Sequence, residues 1–169
     1  MRYSKTIVPA SYWKRFFALI IDIAVINIFF AFPFRKFFTS NLPQTNSLTD
    51  AMAYLESNPE ITGSLSFIIF IISFLAWLYL TITEWKLGAT AGDLLMKIRI
   101  KSQYGKEIKF WQSALRNLFI FPYFPFVILW LIDPLYLLFK QQKFSEFITK
   151  TDTIEELVID KTRVYQANN

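Results

Sequence analysis

Apolar residues gather into three long runs, separated by stretches rich in polar and turn-forming residues. The first run covers residues 16–34 and is interrupted only by Asp22 and Asn27. At ~1.5 Å per residue it matches a hydrocarbon core of ~30 Å and predicts a membrane-crossing helix. Tyr12, Trp13, Lys14 and Arg15 precede it as interfacial residues, with Arg15 read as a snorkelling anchor; Arg35 and Lys36 follow. A signal peptide is the competing reading. The run is long for one, carries a carboxylate, and ends in bulky Phe32-Pro33-Phe34-Arg35 with no small-residue cleavage site. The second run, residues 65–83, is uncharged and predicts a second full span, with Ser66 and Ser73 on one face and Glu84-Trp85 at the interface.

Between these runs, residues 35–63 read as an extracytoplasmic loop or cap, with Ser47 capping a short helix. After the second run, Lys86 to Lys109 is the most polar stretch of the chain. Isoleucine alternates with lysine or arginine from Lys97 to Lys101, which predicts a strand. Gln103-Tyr104-Gly105-Lys106 predicts a turn, and 107–110 a returning strand, so a small cytoplasmic β-hairpin is expected.

The third run, residues 110–139, contains Pro122, Pro125 and Pro134. It reads either as one kinked span or as a short hairpin of two segments, 110–123 and 125–139. Basic residues favour the hairpin. With one span they divide about ten to seven across the membrane. With a hairpin the division is fifteen to two, Arg35 and Lys36 being the two. Each limb of ~13–15 residues would reach only ~20–22 Å as helix, so the turn is expected inside the membrane. The expected fold is an all-α membrane protein of two full transmembrane helices plus this short helical hairpin, three to four membrane segments, with both termini cytoplasmic and a tail at 161–169.

Composition agrees. Of 169 residues, 54% are apolar and 19% aromatic, and the mean hydropathy is +0.34. One soluble core of this size could not bury so much apolar surface, so lipid must act as solvent for part of it. Histidine and cysteine are absent, which excludes thiol nucleophiles, disulfides, the usual zinc sites and His-dependent acid–base chemistry. No catalytic residue, metal site or cofactor is expected. The net charge of +5 records topology, and nucleic acid is not the expected partner.

Three charges lie within the apolar runs: Asp22, Arg116 and Asp133. Each costs about 2.5–3.5 kcal/mol on insertion scales. Asp22 lies seven residues beyond Arg15, Arg116 seven beyond Lys109, and Asp133 seven before Lys140. In the hairpin arrangement all three therefore sit at one depth, ~10 Å from the cytoplasmic boundary. They are expected to meet, either as a structural lock or as a proton or cation site of net charge −1.

Several segments resemble the RDD family. Tyr12-Trp13-Lys14-Arg15 through Asp22 is similar to its opening signature, with Arg15 and Asp22 at the family's Arg and first Asp. Gly88-Ala89-Thr90-Ala91-Gly92, with the basic strand after it, resembles the family's Gly-x-Thr-x-Gly segment. Ala114-Leu115-Arg116-Asn117 resembles its third-segment Arg. Glu146, with Thr151 five residues on, fits the closing motif with Glu in place of the second Asp. The resemblance extends from residue 10 to about 160, making 1–160 one membrane domain. It implies a small integral protein of the cell membrane, for which transport is the usual assignment, and places Glu146 near the 86–101 segment with Arg15, Lys97 or Arg99 as partners.

Gly88 and Gly92 fit no nucleotide-binding fingerprint, so a tight turn from membrane to surface is the expected role of Gly88, Thr90 and Gly92. Lys97, Arg99 and Lys101 are expected to contact anionic lipid headgroups. Two function classes follow: an oligomeric solute or ion carrier, or a scaffold or accessory subunit of a membrane complex whose buried charges are structural.

Overall fold

A computed structural model of the chain describes residues 3–43, 47–104, 107–140 and 142–160. The expected turn residues Gly105 and Lys106 and the tail 161–169 lie outside the described residues. The protein is mostly helical, with two long apolar helices and one small three-stranded sheet.

Strand β1 (Tyr3–Pro9) leads into α1 (Tyr12–Ile26), whose first turn is capped by the Ser11 hydroxyl accepting from the Lys14 amide. The helical path does not stop where the first span was expected to end. It widens into a π turn at Asn27–Ala31, tightens into a 3₁₀ turn at Phe32–Phe34, and continues as α2 (Arg35–Asn41). Pro33 explains the irregularity. It has no N–H to donate and its ring crowds the preceding turn, so the ladder loosens ahead of it instead of breaking. Arg35 and Lys36 therefore lie on the helix and not beyond it. Helix α3 (Leu48–Ser57) follows, with Ser47 accepting from the Asp50 amide, and α4 (Pro59–Leu87) begins with proline in its first turn. The expected cap at 35–63 is thus two short helices and the first residues of α4. Both Tyr12–Asn41 and Pro59–Leu87 are long and apolar enough to cross a membrane.

Helix α4 ends at Gly88 (φ 67°), a left-handed cap whose amide donates to the Glu84 carbonyl at 2.8 Å. The chain turns at once into α5 (Ala91–Met96), held by a capping box between Thr90 and Asp93. Helix α5 lies against α1 so closely that a Cβ on Gly92 would sit 2.1 Å from the Ala18 carbonyl oxygen.

The third apolar run folds back on itself. Helix α6 (Phe110–Arg116) continues as a 3₁₀ turn to Ile120, and α7 (Leu129–Lys140) returns after an irregular turn and a 3₁₀ turn at Phe126–Ile128. The Trp130 indole donates to the Phe119 carbonyl across the two limbs at 2.5 Å. The outgoing limb runs along α4: Ser113 meets Glu84, the Trp77 indole meets the Ala114 carbonyl at 2.9 Å, and Tyr123 Oη meets the Ser66 carbonyl at 2.9 Å. Ser66 and Glu84 are ~27 Å apart along the helix axis, so the hairpin reaches farther than a purely helical limb of its length would. The irregular backbone at 121–125 supplies the extra reach.

The predicted β-hairpin is corrected. Strand β2 (Ile98–Ser102) forms as expected, but residues 107–109 are not a strand and Phe110 already begins α6. After α8 (Phe144–Thr149), strand β3 (Thr151–Asp160) pairs antiparallel with both β2 and β1, in the order β1-β3-β2. Lys101 lies opposite Asp152, and Ile100 opposite Thr153. The alternating, β-branched Thr151-Asp152-Thr153-Ile154 is a better partner for the basic strand than Glu107-Ile108-Lys109.

The close approach at Gly92 yields a test. Gly92→Ala should push α5 off α1 and cost about 3 kcal/mol or more, read as a lowered unfolding midpoint of the purified protein. Gly63, where an added Cβ would meet nothing within 4 Å, is the control. Gly63→Ala should leave the midpoint unchanged or raise it slightly, by up to ~1 kcal/mol.

Candidate functional site

The interior is polar where a soluble protein's would be apolar. Arg15, Asp22, Glu84, Asp93, Arg116, Asp133 and Glu146 are all buried, while large side chains such as Phe16, Ile23, Phe29 and Phe67 are exposed. Glu146, fully buried in α8, sits between two guanidinium groups. Arg15 donates to its carboxylate at 3.0 Å and Arg116 pairs with it at 3.2 Å. The Thr153 hydroxyl donates to it at 2.5 Å, and the Lys143 backbone amide at 3.0 Å.

Every nitrogen of Arg15 is occupied. Besides Glu146, it donates to the Ala10 carbonyl at 3.1 Å and the Thr153 carbonyl at 3.0 Å. It is therefore a buried partner and not a snorkelling anchor, because a carboxylate and two carbonyls replace its water. Arg116 continues the chain of charges, with Nε 3.4 Å from Glu84 and side-chain donors to Thr151 Oγ1 at 3.3 Å and Thr153 Oγ1 at 2.8 Å. The inner face of β3 thus supplies the hydroxyls that Arg116 needs.

Burial alone would push the Glu146 carboxyl up. Arg116 and then Arg15 outweigh it and hold the group at about 2. Helix α8 lies outside the apolar runs, beside the sheet.

The expected meeting of Arg116 with Asp22 and Asp133 takes another form. The ion pairs of Arg116 run to Glu84 and Glu146, and each aspartate is held by local donors. Asp22 accepts from Thr90 Oγ1 at 2.6 Å and from the Gly92 amide at 2.9 Å. Asp133 accepts from the Ser145 amide at 2.9 Å and its hydroxyl at 2.8 Å. The three residues nonetheless line one cavity of about 600 Å³, which lies between α1 and the 110–140 hairpin. Arg15, Glu84, Asp93 and Lys143 also border it.

The glycine-rich turn acquires a definite task. Gly88 permits the turn, Thr90 caps α5 and bonds Asp22, and Gly92 brings α5 close enough for its amide to reach Asp22. Lys97, Arg99 and Lys101 are exposed, and Glu146 takes Arg15 and Arg116 as partners instead of Lys97 or Arg99. Thr151 bonds Arg116 and shares a 2.9 Å contact with Thr149.

Sequence reasoning missed Glu84, which it read as the interfacial end of a span. It also missed Ser145 and Thr153, ordinary polar residues until the fold sets them beside Asp133 and Glu146.

The described residues thus combine two helices long and apolar enough to cross a bilayer with an ion-paired interior and one small sheet. The model of the RDD family matches residues 9–150, and the chain belongs to that family of membrane proteins. No curated protein and no solved structure shows significant similarity to it.

Glu146→Gln should strand both guanidinium groups without a shared counter-charge and destabilise by about 3–5 kcal/mol. Glu146→Asp, which keeps the charge on a shorter arm, should fall between. Because the folded-state pKa is depressed, the Glu146 contribution is complete above about 4.5 and is lost as pH falls towards about 2. A pH series of unfolding midpoints should therefore show a decline below about 4.5 that is reduced in Glu146→Gln.

Proposed function

We propose that this RDD-family chain is a small membrane carrier that takes a proton or a small cation into the cavity bordered by Asp22 and Asp133. The single observation that carries this reading is the charge of that cavity. Asp22, Glu84, Asp93 and Asp133 border it together with Arg15, Arg116 and Lys143, and Glu146 lies between the two arginines. Five carboxylates against three cations leave an excess of negative charge in a low-dielectric setting, which favours a cation or proton. Among the described residues each aspartate meets two donors, against roughly four acceptor positions on a carboxylate. One chain has too few helices to enclose a pathway, so the carrier works as an oligomer.

The same reading takes α1 and α4 as full crossings and the 110–140 hairpin as two short membrane segments turning inside the bilayer, with both termini cytoplasmic in a multi-pass protein of the cell membrane. Two observations support it: β1 and β3 are paired neighbours in one sheet, and the basic residues divide fifteen to two. Exposed Lys97, Arg99 and Lys101 then face anionic headgroups.

A scaffold or accessory role is the second reading. It is favoured by the unbroken run Glu84–Arg116–Glu146–Arg15, in which charges tie four elements together and need no ligand.

Vesicles reconstituted with the protein and loaded with a pH-sensitive dye separate the two. Asp22→Asn should insert and assemble normally yet abolish cation-driven pH change. Unchanged flux with normal assembly would remove Asp22 from the mechanism. No flux in the parent protein, with assembly lost in the variant, would favour the scaffold. The cysteine-free chain also permits a direct topology test. A cysteine introduced at Thr39 should react with an impermeant maleimide added outside intact cells, and one at Lys101 should not.

A further inference from the structure

From the shape of the same cavity we infer the substrate class: an amphiphile with a protonated amine head and a single hydrocarbon chain. This rests on the carrier reading for the sign of the ligand's charge and goes beyond it in naming what else the ligand must have. The cavity is two-sided in character. Its polar lining is ionic, with the buried Asp22, Glu84, Asp93 and Asp133 beside Arg15, Arg116 and Lys143. Its walls are apolar: Phe16, Leu19 and Ile23 from α1, and Leu129, Trp130 and Leu137 from α7.

The carboxylates alone serve a proton or a small cation; the apolar walls add a place for a hydrocarbon chain, which is stabilised by about 25 cal/mol for each Å² it removes from water. At about 600 Å³ the space falls within the ~300–1,000 Å³ of ordinary ligand pockets. The rim shows how a ligand of this kind arrives. Phe16, Leu19, Ile23 and Trp130 are exposed on the apolar side of the helices, and α1 and α7 do not pack closely on each other. With α1 and the hairpin read as membrane segments, these exposed side chains border lipid, and an amphiphile can enter between α1 and α7 with its head leading. The head must be cationic. The lining sets Asp22, Glu84, Asp93 and Asp133 against Arg15, Arg116 and Lys143, with both arginines already engaged by Glu146, so an anionic head would meet an excess of carboxylates and a neutral hydroxyl would gain little from them. A primary amine, charged at neutral pH and carrying three donors, can bond an acceptor position of Asp22 or Asp133.

The test uses the full chain in lipid nanodiscs at pH 7, with radiolabelled dodecylamine as probe and empty nanodiscs subtracted. Saturable binding of dodecylamine is expected, with no saturable binding of dodecanoate or dodecanol. Asp133→Asn should weaken it at least tenfold. Leu137→Trp, which fills the apolar wall and leaves every charge in place, should do the same, and serves if Asp133→Asn does not fold. Equal binding of the three probes would mean partition into lipid and would overturn the inference. So would binding unchanged in a folded Asp133→Asn or Leu137→Trp protein. Cation-driven pH change that depends on Asp22, together with no dodecylamine binding, would leave the carrier reading standing and remove this one alone.

Discussion

Two arginines share one glutamate, and the rest of the structure is arranged to make that possible. Glu146 is wholly removed from solvent, with Arg15 on one side and Arg116 on the other. Leaving any one of the three unpaired would strand a buried charge, which costs several kcal/mol, so their elements are effectively fastened together. Arg15 brings the start of α1, Arg116 the end of α6, and Glu146 the short helix α8. Glu84 on α4 and the hydroxyls of Thr151 and Thr153 on β3 complete the coordination. Such a set of bonds is directional, as hydrophobic contact is not. It can fix register in a molecule whose outer surface is greasy and whose helices gain little from burying apolar groups against one another.

The remaining geometry follows from where that cluster sits. The 110–140 hairpin leaves it along α4 and comes back along its own outgoing limb, without closing against α1. The gap between α1 and α7 is the cavity, floored by the two aspartates that the central cluster does not use. Asp22 is held by the glycine-rich turn after α4, and Asp133 by the first turn of α8, so each is oriented by a segment outside its own helix.

Much of this was legible in the residues. The two long helices announce themselves by uncharged length, and the prolines at 122 and 125, with the asymmetry of basic residues, point to a reversal in the third run. Asp22, Arg116 and Asp133, expected at one depth and in contact, line one cavity, but the ion pairs of Arg116 run to Glu84 and Glu146 instead. Which charges pair is not local. Arg116 chose Glu84 and Glu146 because the hairpin lies along α4 and α8 tucks beneath it, and no periodicity encodes that. The sheet was misread for a similar reason. Strand β2 showed its alternation plainly, but its partner lies some fifty residues away in the chain, and the nearby 107–109 segment offered a spurious local alternative. Arg15 looked like an interfacial anchor because its counter-ion is 131 positions distant.

That distance has a bearing on how the protein is made. Glu146 is made 131 residues after Arg15, so α1 is complete well before its counter-charge exists. Its neighbouring strand β1 also waits, since β3 is synthesised later still. During that interval the nascent chain holds a long greasy helix whose arginine has only water, lipid phosphate or a helper protein to satisfy it. Final folding is thus a closing step in which the carboxyl-terminal segment arrives and locks the amino-terminal one. Closing of the fold therefore has to wait for the synthesis of Glu146 and β3, whatever α1 has reached by then.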